Sequence, residues 1–417
     1  MVECICLFES PDYSSLLPLV YLRPVYDLRC GILTLREKAV LNYPGIHFSL
    51  FCRTYLEDVV KQQNPDIPVN QLSVNDYLFI NGQIIVDNNF INQVSLDGED
   101  TIYISGKLLA AVKLSGKNLK LIKPIFNDSF TLSNFRNLPQ KSISVKSINY
   151  PWELVNQNGD QIISDFKLIN WNNNGKMIRG NVYDGAILLN KSNIFIEEGA
   201  KIKPGVILDA ESGPIFIGRN VWIYPNAVIE GPAYIGNNSR IKIGARIYGN
   251  TSIGPFSKVG GEVENSIIHS YSNKQHDGFL GHSYIGSWVN LGANTNNSDL
   301  KNNYGTVKLT VNGEEIDSGT LFVGLIMGDH SKSGINTMFN TGTIVGISSN
   351  IFGSGFPEKY IPSFSWGGAG SMTVYNLQKS IVTAKKVMKR RNVEMTPDDE
   401  ALFQKVFELT EHERQQY

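Results

Sequence analysis

The chain has 417 residues, of which 42% are hydrophobic and 18% are charged, so it can bury a large core in two or three domains. Its 38 Lys and Arg residues nearly balance 39 Asp and Glu residues, which argues against nucleic acid or an anionic membrane as a partner. No apolar run predicts a membrane-spanning helix, and the N-terminus lacks the basic segment of a secretory signal. We therefore expect a cytoplasmic protein.

Strand-like segments rich in Ile, Tyr and Phe alternate with helix-like segments in the first part of the chain. Strands are predicted at 4–10, 76–87 and 100–106, and helices at 31–43, 53–63 and within 133–150. Such alternation favours an α/β domain. The cysteines show no CxxC spacing and predict free thiols; they are Cys4, Cys6, Cys30 and Cys52.

An aliphatic residue recurs at every sixth position between residues 215 and 260. The members of this series are Ile217, Ile223, Ile229, Ile235, Ile241, Ile247, Ile253 and Val259. Neither a helix nor a simple strand alternation produces a period of six, so the series predicts a solenoid of short strands with three sides and one inward residue per side. The same spacing returns upstream at Ile196, Ile202 and Leu208, and downstream at Phe279, Ile285 and Leu291, and weakly around Ile335 and Ile347.

A polar insertion at 294–318 interrupts this series, and we expect it to leave the stack and cover a neighbouring surface. The last part of the chain predicts two helices, the second with Thr396 as N-cap and Pro397 in its first turn. The basic run KKVMKRR at 385–391 is interpreted as a solvated helix face rather than a nucleic-acid patch.

Four longer motifs are informative: PLVYLRPVYDLRCGILTLREK (18–38), YSNKQHDGFLGHSYIGSWVNLGANTN (271–296), LKNNYGTVKL (300–309) and FVGLIMGDHSKSGINTMFNTGTIVGISSNIFGSGFP (322–357). With the hexapeptide series they resemble the GlmU-like sugar nucleotidyltransferase/acetyltransferase proteins of the Bacteroidetes type. The resemblance implies an α/β nucleotidyltransferase-like domain at 1–180, a left-handed parallel β-helix acetyltransferase domain at 181–370 and a C-terminal helical segment at 371–417. It also implies a homotrimer that acts on a sugar phosphate, acetyl-CoA and a nucleotide, with UDP-N-acetylglucosamine as the product in bifunctional relatives.

Acetyl transfer to a sugar amine needs a base that takes a proton from the ammonium and donors that stabilise the oxyanion. His276, in QHDGFLG, resembles the catalytic histidine of the family's H-x-x-x-L-G motif. The resemblance assigns Asn290 to substrate contact and the backbone N–H of Ala293 to the thioester oxygen. Phe279 stands where relatives have a tyrosine that contacts the substrate, so that hydroxyl is absent.

The resemblance also implies substrate contacts from Asn303 and Tyr304, which match the family's Asn-Tyr pair if a short insertion precedes them. Glu264 stands where relatives carry a basic residue for the substrate phosphate. A carboxylate repels a phosphate, so either Lys274 or Lys301 substitutes, or the acceptor carries no phosphate.

The glycine-rich loop of sugar pyrophosphorylases is absent from the N-terminal half. Arg23 resembles the arginine of their RPK element, although Val25 replaces the lysine. Nucleotide binding is predicted for Gly82 and, through phosphate contacts, for Arg23, Arg29, Arg36 and Lys38. The strand before Gly82 resembles one that ends in Gly-Asp and binds metal in relatives, but Gln83 follows here, which leaves Asp87 as the candidate Mg²⁺ ligand. We expect nucleotide binding with weak pyrophosphorylase activity.

Two alternatives remain open at this stage. The solenoid suits a non-catalytic trimeric scaffold that binds sugar nucleotides. It also resembles γ-class carbonic anhydrases, in which His276 and His282 would bind zinc with help from a neighbouring subunit. His330, in MGDHSKSG, is a further polar candidate with either a structural or a functional role.

Overall fold

The computed structural model describes residues 2–119, 128–135, 137–171 and 177–415. The N-terminal part contains one mixed sheet with the strand order β2-β1-β3-β5-β4-β6. These strands are Cys4–Phe8 (β1), His47–Leu50 (β2), Tyr77–Asn81 (β3), Thr101–Ser105 (β4), Leu108–Leu114 (β5) and Gln140–Ser142 (β6). The strands β1, β2 and β3 are parallel, and β5 pairs antiparallel with β3 and β4. The predicted α/β domain is confirmed.

The helices that accompany this sheet are Leu35–Asn42 (α1), Glu57–Gln63 (α2), Asn88–Gln93 (α3) and Pro151–Trp171 (α4). The helix predicted within 133–150 is wrong, because the described residues of that stretch form only part of the 3₁₀ turn Leu132–Phe135 and the strand β6. Pro151 begins the long helix instead, since proline suits the first helical turn and disfavours helical geometry in the residue before it.

The second part is a parallel β-helix, and the side that faces the N-terminal domain is called the covered side. Phe195, Phe216 and Tyr234 point outward from it and pack against Ile162 and Phe166 of α4. Its strands are Ile194–Ile196, Ile215–Ile217, Ala233–Ile235, Thr251–Ile253, Ile267–Ser270, Tyr284–Ser287, Leu325–Met327, Thr343–Val345 and Tyr360–Ile361.

The other two sides are called the basic side and the open side. The basic side runs through Asn181–Val182, Lys201–Ile202, Trp222–Ile223, Arg240–Ile241, Lys258–Val259 and Asn273–Lys274, and later through Lys332–Ser333, Asn350–Ile351, Ser365–Gly367 and Met372–Val374. The open side runs through Ile187–Leu189, Ile207–Asp209, Val228–Glu230, Arg246–Ile247, Glu262–Glu264 and Phe279–Gly281, and later through Asn296–Asn297 and Met338–Phe339. Asn226 and Asn238 turn corners with positive φ, which asparagine tolerates better than most residues.

Each side of the solenoid contributes one column of aliphatic side chains to its interior. Ile217 pairs with Ile235 and Ile235 with Ile253, a repeat of 18 residues. The whole predicted series from Ile217 to Val259 is buried in one cluster, so the six-residue interpretation is confirmed.

Downstream of Val259 the predicted phase is wrong at two places. Leu280, rather than Phe279, fills the interior. Ile335 is exposed at a corner and Ile347 faces the C-terminal helices, while Phe339, Val345 and Ile351 occupy the interior. The phase shifts because the later coils are no longer 18 residues long, and the insertion separates two of them.

The insertion forms a hairpin of Lys308–Val311 (β7) and Glu314–Asp317 (β8). Leu309 and Val311 of this hairpin pack in one cluster with Leu16 and Leu19 of the N-terminal domain, so the predicted covering role is confirmed.

The chain ends in the helices Leu377–Lys389 (α5) and Pro397–Leu409 (α6). Thr396 caps α6 in a capping box with Asp399, as the sequence predicts. Leu402 and Phe403 of α6 pack in one cluster with Leu56 and Val59, which ties the end of the chain to the N-terminal domain.

Candidate functional site

His276 lies at the corner between the basic side and the open side, and its side chain is exposed. Asn273 bridges to Asn290 on the next coil, so Ala293 occupies the position equivalent to His276 one coil further along. The backbone N–H of Asn294 donates to the carbonyl of Asp277 at 2.9 Å, which fixes the two corners side by side. His276, Asn290 and Ala293 therefore occupy adjacent coils at one edge of the solenoid.

The same edge carries two strongly exposed isoleucines. Ile243 is 69% exposed and Ile335 is 70% exposed. The strand register places Ile243 two coils before His276 and Ile335 one coil after Ala293. The edge therefore carries one exposed isoleucine on each side of the coils with His276 and Ala293.

Lys274 lies inside the solenoid, where its strand partner is the aliphatic Val259. Its ammonium donates to the carbonyl of Gly260 at 3.2 Å and to the carbonyl of His276 at 3.0 Å. Burial lowers the pKa of Lys274 to about 8. The side chain thus holds the loop that carries His276.

Asn290 belongs to a chain of side-chain hydrogen bonds that reaches the C-terminal helices. Arg391 donates to Asn273 at 2.7 Å, and the amide of Asn273 donates to Asn290 at 3.2 Å. Within the basic run 385–391, Met388 is buried. Lys385, Lys386, Lys389 and Arg390 are exposed, as the interpretation of a solvated helix face predicts, whereas Arg391 contacts the solenoid.

The loop with Lys301, Asn303 and Tyr304 leaves the solenoid at the far corner of the open side, after Asn296–Asn297. Tyr304 is 70% exposed, Asn303 accepts from the N–H of Gly305 at 3.1 Å, and Lys301 donates to the carbonyl of Thr306. Within one chain, this loop and His276 lie at opposite ends of the open side.

His282, a candidate zinc ligand from the sequence, pairs with the carboxylate of Asp299, a partner that sequence reasoning missed. Its Nδ1 lies 2.8 Å from Asp299 Oδ2, and its ring stacks on Phe322 at a centroid distance of 4.8 Å. Such a carboxylate orients an imidazole in many active sites. His276 and His282 occupy opposite ends of the strand Phe279–Gly281, so within one chain they do not converge on a single ion.

Each predicted nucleotide-binding cation of the N-terminal half has a partner within the protein. Arg23 pairs with Asp329 of the solenoid at 2.6 Å, and Arg36 pairs with Asp27 at 2.8 Å. The other two are buried: Lys38 pairs with Asp165, and Arg29 donates to the carbonyl of Ile32 and lies over the ring of Tyr234.

The candidate metal ligand Asp87 and the predicted nucleotide-binding residue Gly82 also have contacts within the protein. Asp87 caps α3 by accepting from the N–H of Phe90 at 3.0 Å, and Gly82 lies against Tyr26, which an added Cβ would meet at 3.1 Å. Asp27 faces Arg36, and burial raises the pKa of Asp27 to about 6. In the described ranges, no group of three His, Cys, Asp or Glu residues is arranged to hold a metal ion.

His330 lines a cavity of about 440 Å³ at the junction of the N-terminal domain, the covered side and the C-terminal helices. Its Nδ1 is buried and makes no hydrogen bond to the described protein atoms. Arg23, Asp329 and His269 line the same cavity. Burial lowers the pKa of both histidines well below 6.5, so each imidazole is neutral near neutral pH.

Comparison with known proteins identifies two matching family models and several similar proteins. Residues 5–173 match the model of the family described as "Sugar nucleotidyl transferase", and residues 214–249 match "Bacterial transferase hexapeptide (six repeats)". A "Bifunctional sugar-1-phosphate nucleotidylyltransferase/acetyltransferase" of Sulfurisphaera tokodaii is 25% identical over 339 residues, 78% of this chain and 69% of that protein. A "Bifunctional protein GlmU" of Methanococcus aeolicus is 28% identical over 242 residues, 57% of this chain and 47% of that protein.

The chain thus spans about half the length of the Methanococcus relative. Among solved structures, a UDP-N-acetylglucosamine acyltransferase of Francisella novicida covers 55% of this chain and 78% of its own, with 16% identity and a TM-score of 0.30, too low to support an argument. No helix in the described parts of the chain has the length and apolarity to span a membrane. The resemblance drawn from the motifs is confirmed: a segment that matches the sugar nucleotidyl transferase model precedes hexapeptide repeats, and the curated relatives are a bifunctional sugar-1-phosphate nucleotidylyltransferase/acetyltransferase and GlmU.

Proposed function

We propose that this protein is a sugar-nucleotide biosynthesis enzyme that transfers the acetyl group of acetyl-CoA to the amine of an amino-sugar 1-phosphate, with glucosamine 1-phosphate as the expected acceptor. The observation that carries the proposal is the exposed His276 beside Asn290 and Ala293 on the next coil. Relatives named as bifunctional nucleotidylyltransferase/acetyltransferases support it. The proposal divides the chain into domains at 1–180, 181–370 and 371–417.

In the proposed reaction His276 takes a proton from the sugar ammonium, and the free amine attacks the thioester carbonyl. A C–N bond forms, the C–S bond breaks, and the thiolate of CoA leaves and takes up a proton. The backbone N–H of Ala293 makes no hydrogen bond within the described chain, so it is free to donate to the oxyanion. Lys274 holds the His276 loop from inside.

The experiment that tests this function is a CoA-thiol release assay with acetyl-CoA and a panel of amino sugars and their 1-phosphates. Release that depends on one amino-sugar phosphate supports the proposal. A trimer that binds sugar nucleotides but releases no thiol with any acceptor would favour the scaffold alternative.

We propose that the active assembly is a homotrimer in which a second copy completes the site. His276 and the loop with Tyr304 lie at opposite ends of the open side, so one chain does not bring them together. A neighbouring copy placed against the edge with Ile243 and Ile335 would supply the missing contacts and bury both side chains.

The double variant Ile243→Glu/Ile335→Glu should change the assembly from trimer to monomer, because it places carboxylates in the apolar flanks of the interface. Light scattering at micromolar concentration measures the mass. Val382→Glu, at an exposed apolar position of α5, is the matched control and should remain trimeric. A parent protein that is already monomeric would refute the proposed assembly.

We further propose that the N-terminal domain binds a uridine nucleotide or sugar nucleotide and releases pyrophosphate only weakly. The family match supports nucleotide recognition. Because Arg23, Arg29, Arg36 and Lys38 already have partners in the protein, a triphosphate must compete with those partners for their charge.

Calorimetry with UTP and UDP-N-acetylglucosamine should therefore detect binding that changes little when Mg²⁺ is added. Pyrophosphate release from UTP and N-acetylglucosamine 1-phosphate should remain slow in the same buffers. Rapid Mg²⁺-dependent release would contradict this expectation, and would direct attention to Asp27 or Asp87 as metal ligands.

A further inference from the structure

A second polar cavity lies on the basic side, where the end of α5 approaches the solenoid. It has a volume of about 310 Å³ and is called the basic cavity. Its charged residues are Lys258 and Lys332 on the solenoid, and Arg390 and Arg391 at the end of α5. Positive charges thus line two facing walls built by different parts of the chain.

The strand register brings a further cation close to Lys258. Arg240 pairs directly with Lys258 on the neighbouring parallel strand, so their Cα atoms are about 4.8 Å apart. Like charges directly opposite each other destabilise a sheet. Burial lowers the pKa of Lys258, and the nearby charges of Arg391, Lys242 and Arg240 lower it further.

Among the residues that the structure describes, no carboxylate pairs with these cations. None of the residues lining the cavity is acidic, and Lys258, Lys332, Arg390 and Arg391 form no ion pair with the described parts of the chain. Elsewhere on α5 a lysine does have an acidic partner, since Lys385 pairs with Glu400.

The helix macrodipole explains part of this pattern, but not all of it. Cations are favoured at the C-terminal end of a helix, which accounts for Arg390 and Arg391. It does not account for Lys258 and Lys332, which belong to the solenoid and face that helix end. Repulsion between the two walls lowers stability unless an anion binds between them.

We propose that the basic cavity binds a ligand with two or more clustered phosphate groups, held between Lys258 and Lys332 on one wall and Arg390 and Arg391 on the other. A single carboxylate would leave most of these cations unpaired. The volume suits a small molecule rather than a nucleic-acid duplex. Asn273 and Asn290 add neutral hydrogen-bonding groups to the lining.

The position of the cavity connects it with acetyl transfer. Asn290 and Gln275 line it, and Gln275 directly precedes His276. The existence of the site stands by itself, whereas the identity of its ligand rests on the proposed function. If acetyl transfer occurs, the phosphates are those of acetyl-CoA; if it does not, they belong to a nucleotide or a free polyphosphate.

Calorimetry with inorganic pyrophosphate tests the site directly. We expect binding that weakens as the salt concentration rises, because the contacts are electrostatic. Lys258→Gln/Arg390→Gln should weaken it by about 10²-fold, as two charge-assisted contacts are lost. Lys107→Gln, which removes an exposed lysine from a turn of the N-terminal domain, is the matched control and should bind like the parent.

Thermal unfolding gives a second readout that needs no ligand. The double variant should unfold at a higher temperature than the parent, because it relieves repulsion between the walls, and pyrophosphate should stabilise the parent alone. Absence of pyrophosphate binding to the parent, or equal binding to parent and variant, would overturn the proposal.

Competition against pyrophosphate by CoA, UTP and UDP-N-acetylglucosamine identifies the source of the phosphates. Pyrophosphate binding that the variant loses, in a protein that transfers no acetyl group, supports the anion site and refutes only the proposed function. Acetyl transfer with an unchanged KM for acetyl-CoA in the variant, without pyrophosphate binding, refutes only the anion site.

Discussion

Replacing His276 by alanine should lower the rate of acetyl transfer by about 10²–10⁴-fold, the usual contribution of a positioned general base. The trimer and the fold should survive, because the side chain is exposed and fills no part of the core. The measurement is thiol release from acetyl-CoA at saturating acceptor, with light scattering on the same sample. The rate should recover in part at higher pH, where more of the acceptor amine is already deprotonated.

His282→Ala is the matched control for this variant, because it removes a second histidine from the same coil of the solenoid. Its imidazole already has a carboxylate partner in Asp299, at the far corner of the open side. We expect this variant to keep the acetyl-transfer rate within about threefold of the parent. If His276→Ala were nearly fully active and His282→Ala inactive, the base would be the His282–Asp299 pair.

His276 could be predicted from the sequence as a candidate base, whereas the pairing of His282 with Asp299 could not. His276 stands in a motif of seven neighbouring residues, so the sequence displays it directly. The partner of His282 lies 17 residues away in the polar insertion, and only the stacking of coils brings the two together. Sequence spacing indicates such a pair only after the length of each coil is known.

The solenoid was predictable because its interior depends on one residue in six, and that period is visible over Ile217 to Val259. The prediction loses its phase where coils shorten or an insertion intervenes, as at Leu280 and Phe339. A change in coil length alters which residue faces inward without altering the composition of the segment.

The partners of the N-terminal cations were not predictable from local sequence. Arg23 pairs with Asp329, which is 306 residues away, and Lys38 pairs with Asp165 of α4. A basic residue in a nucleotidyltransferase-like motif suggests a phosphate contact, but the same charge serves equally well in an ion pair between distant segments of the protein. Only the packing of α4 and the solenoid against these residues distinguishes the two roles.

A buried ion pair of Arg53 and Glu9 lies at the carboxyl end of β1 in the N-terminal domain. Glu9 directly follows β1, at the edge of the parallel strands where ligands bind in open α/β sheets. Arg53 is 1% exposed and Glu9 is 2% exposed, and Arg53 Nε donates to Glu9 at 3.1 Å. Arg53 also donates to the carbonyls of Val20 and Arg23, so it anchors the segment that pairs with the solenoid.

Arg53→Met should destabilise this region by about 3–5 kcal/mol, because it leaves the Glu9 carboxylate buried without its counter-charge. A chain of several domains does not unfold in one step, so the suitable measurement is hydrogen exchange of β1 and of residues 20–25. Their protection should fall by about 10²–10⁴-fold, while protection of the solenoid core around Ile235 should change little.

Two further variants distinguish the effect of an unpaired buried charge on hydrogen exchange from the effect of lost packing. Lys61→Met removes one partner of an exposed pair with Glu57 and should leave the exchange of β1 unchanged. Adding Glu9→Gln to Arg53→Met should restore part of the lost protection, because an amide costs less to bury than an unpaired carboxylate. Equal loss in the single and double variants would instead assign the effect to the contacts of Arg53 with Tyr13, Val20 and Arg23.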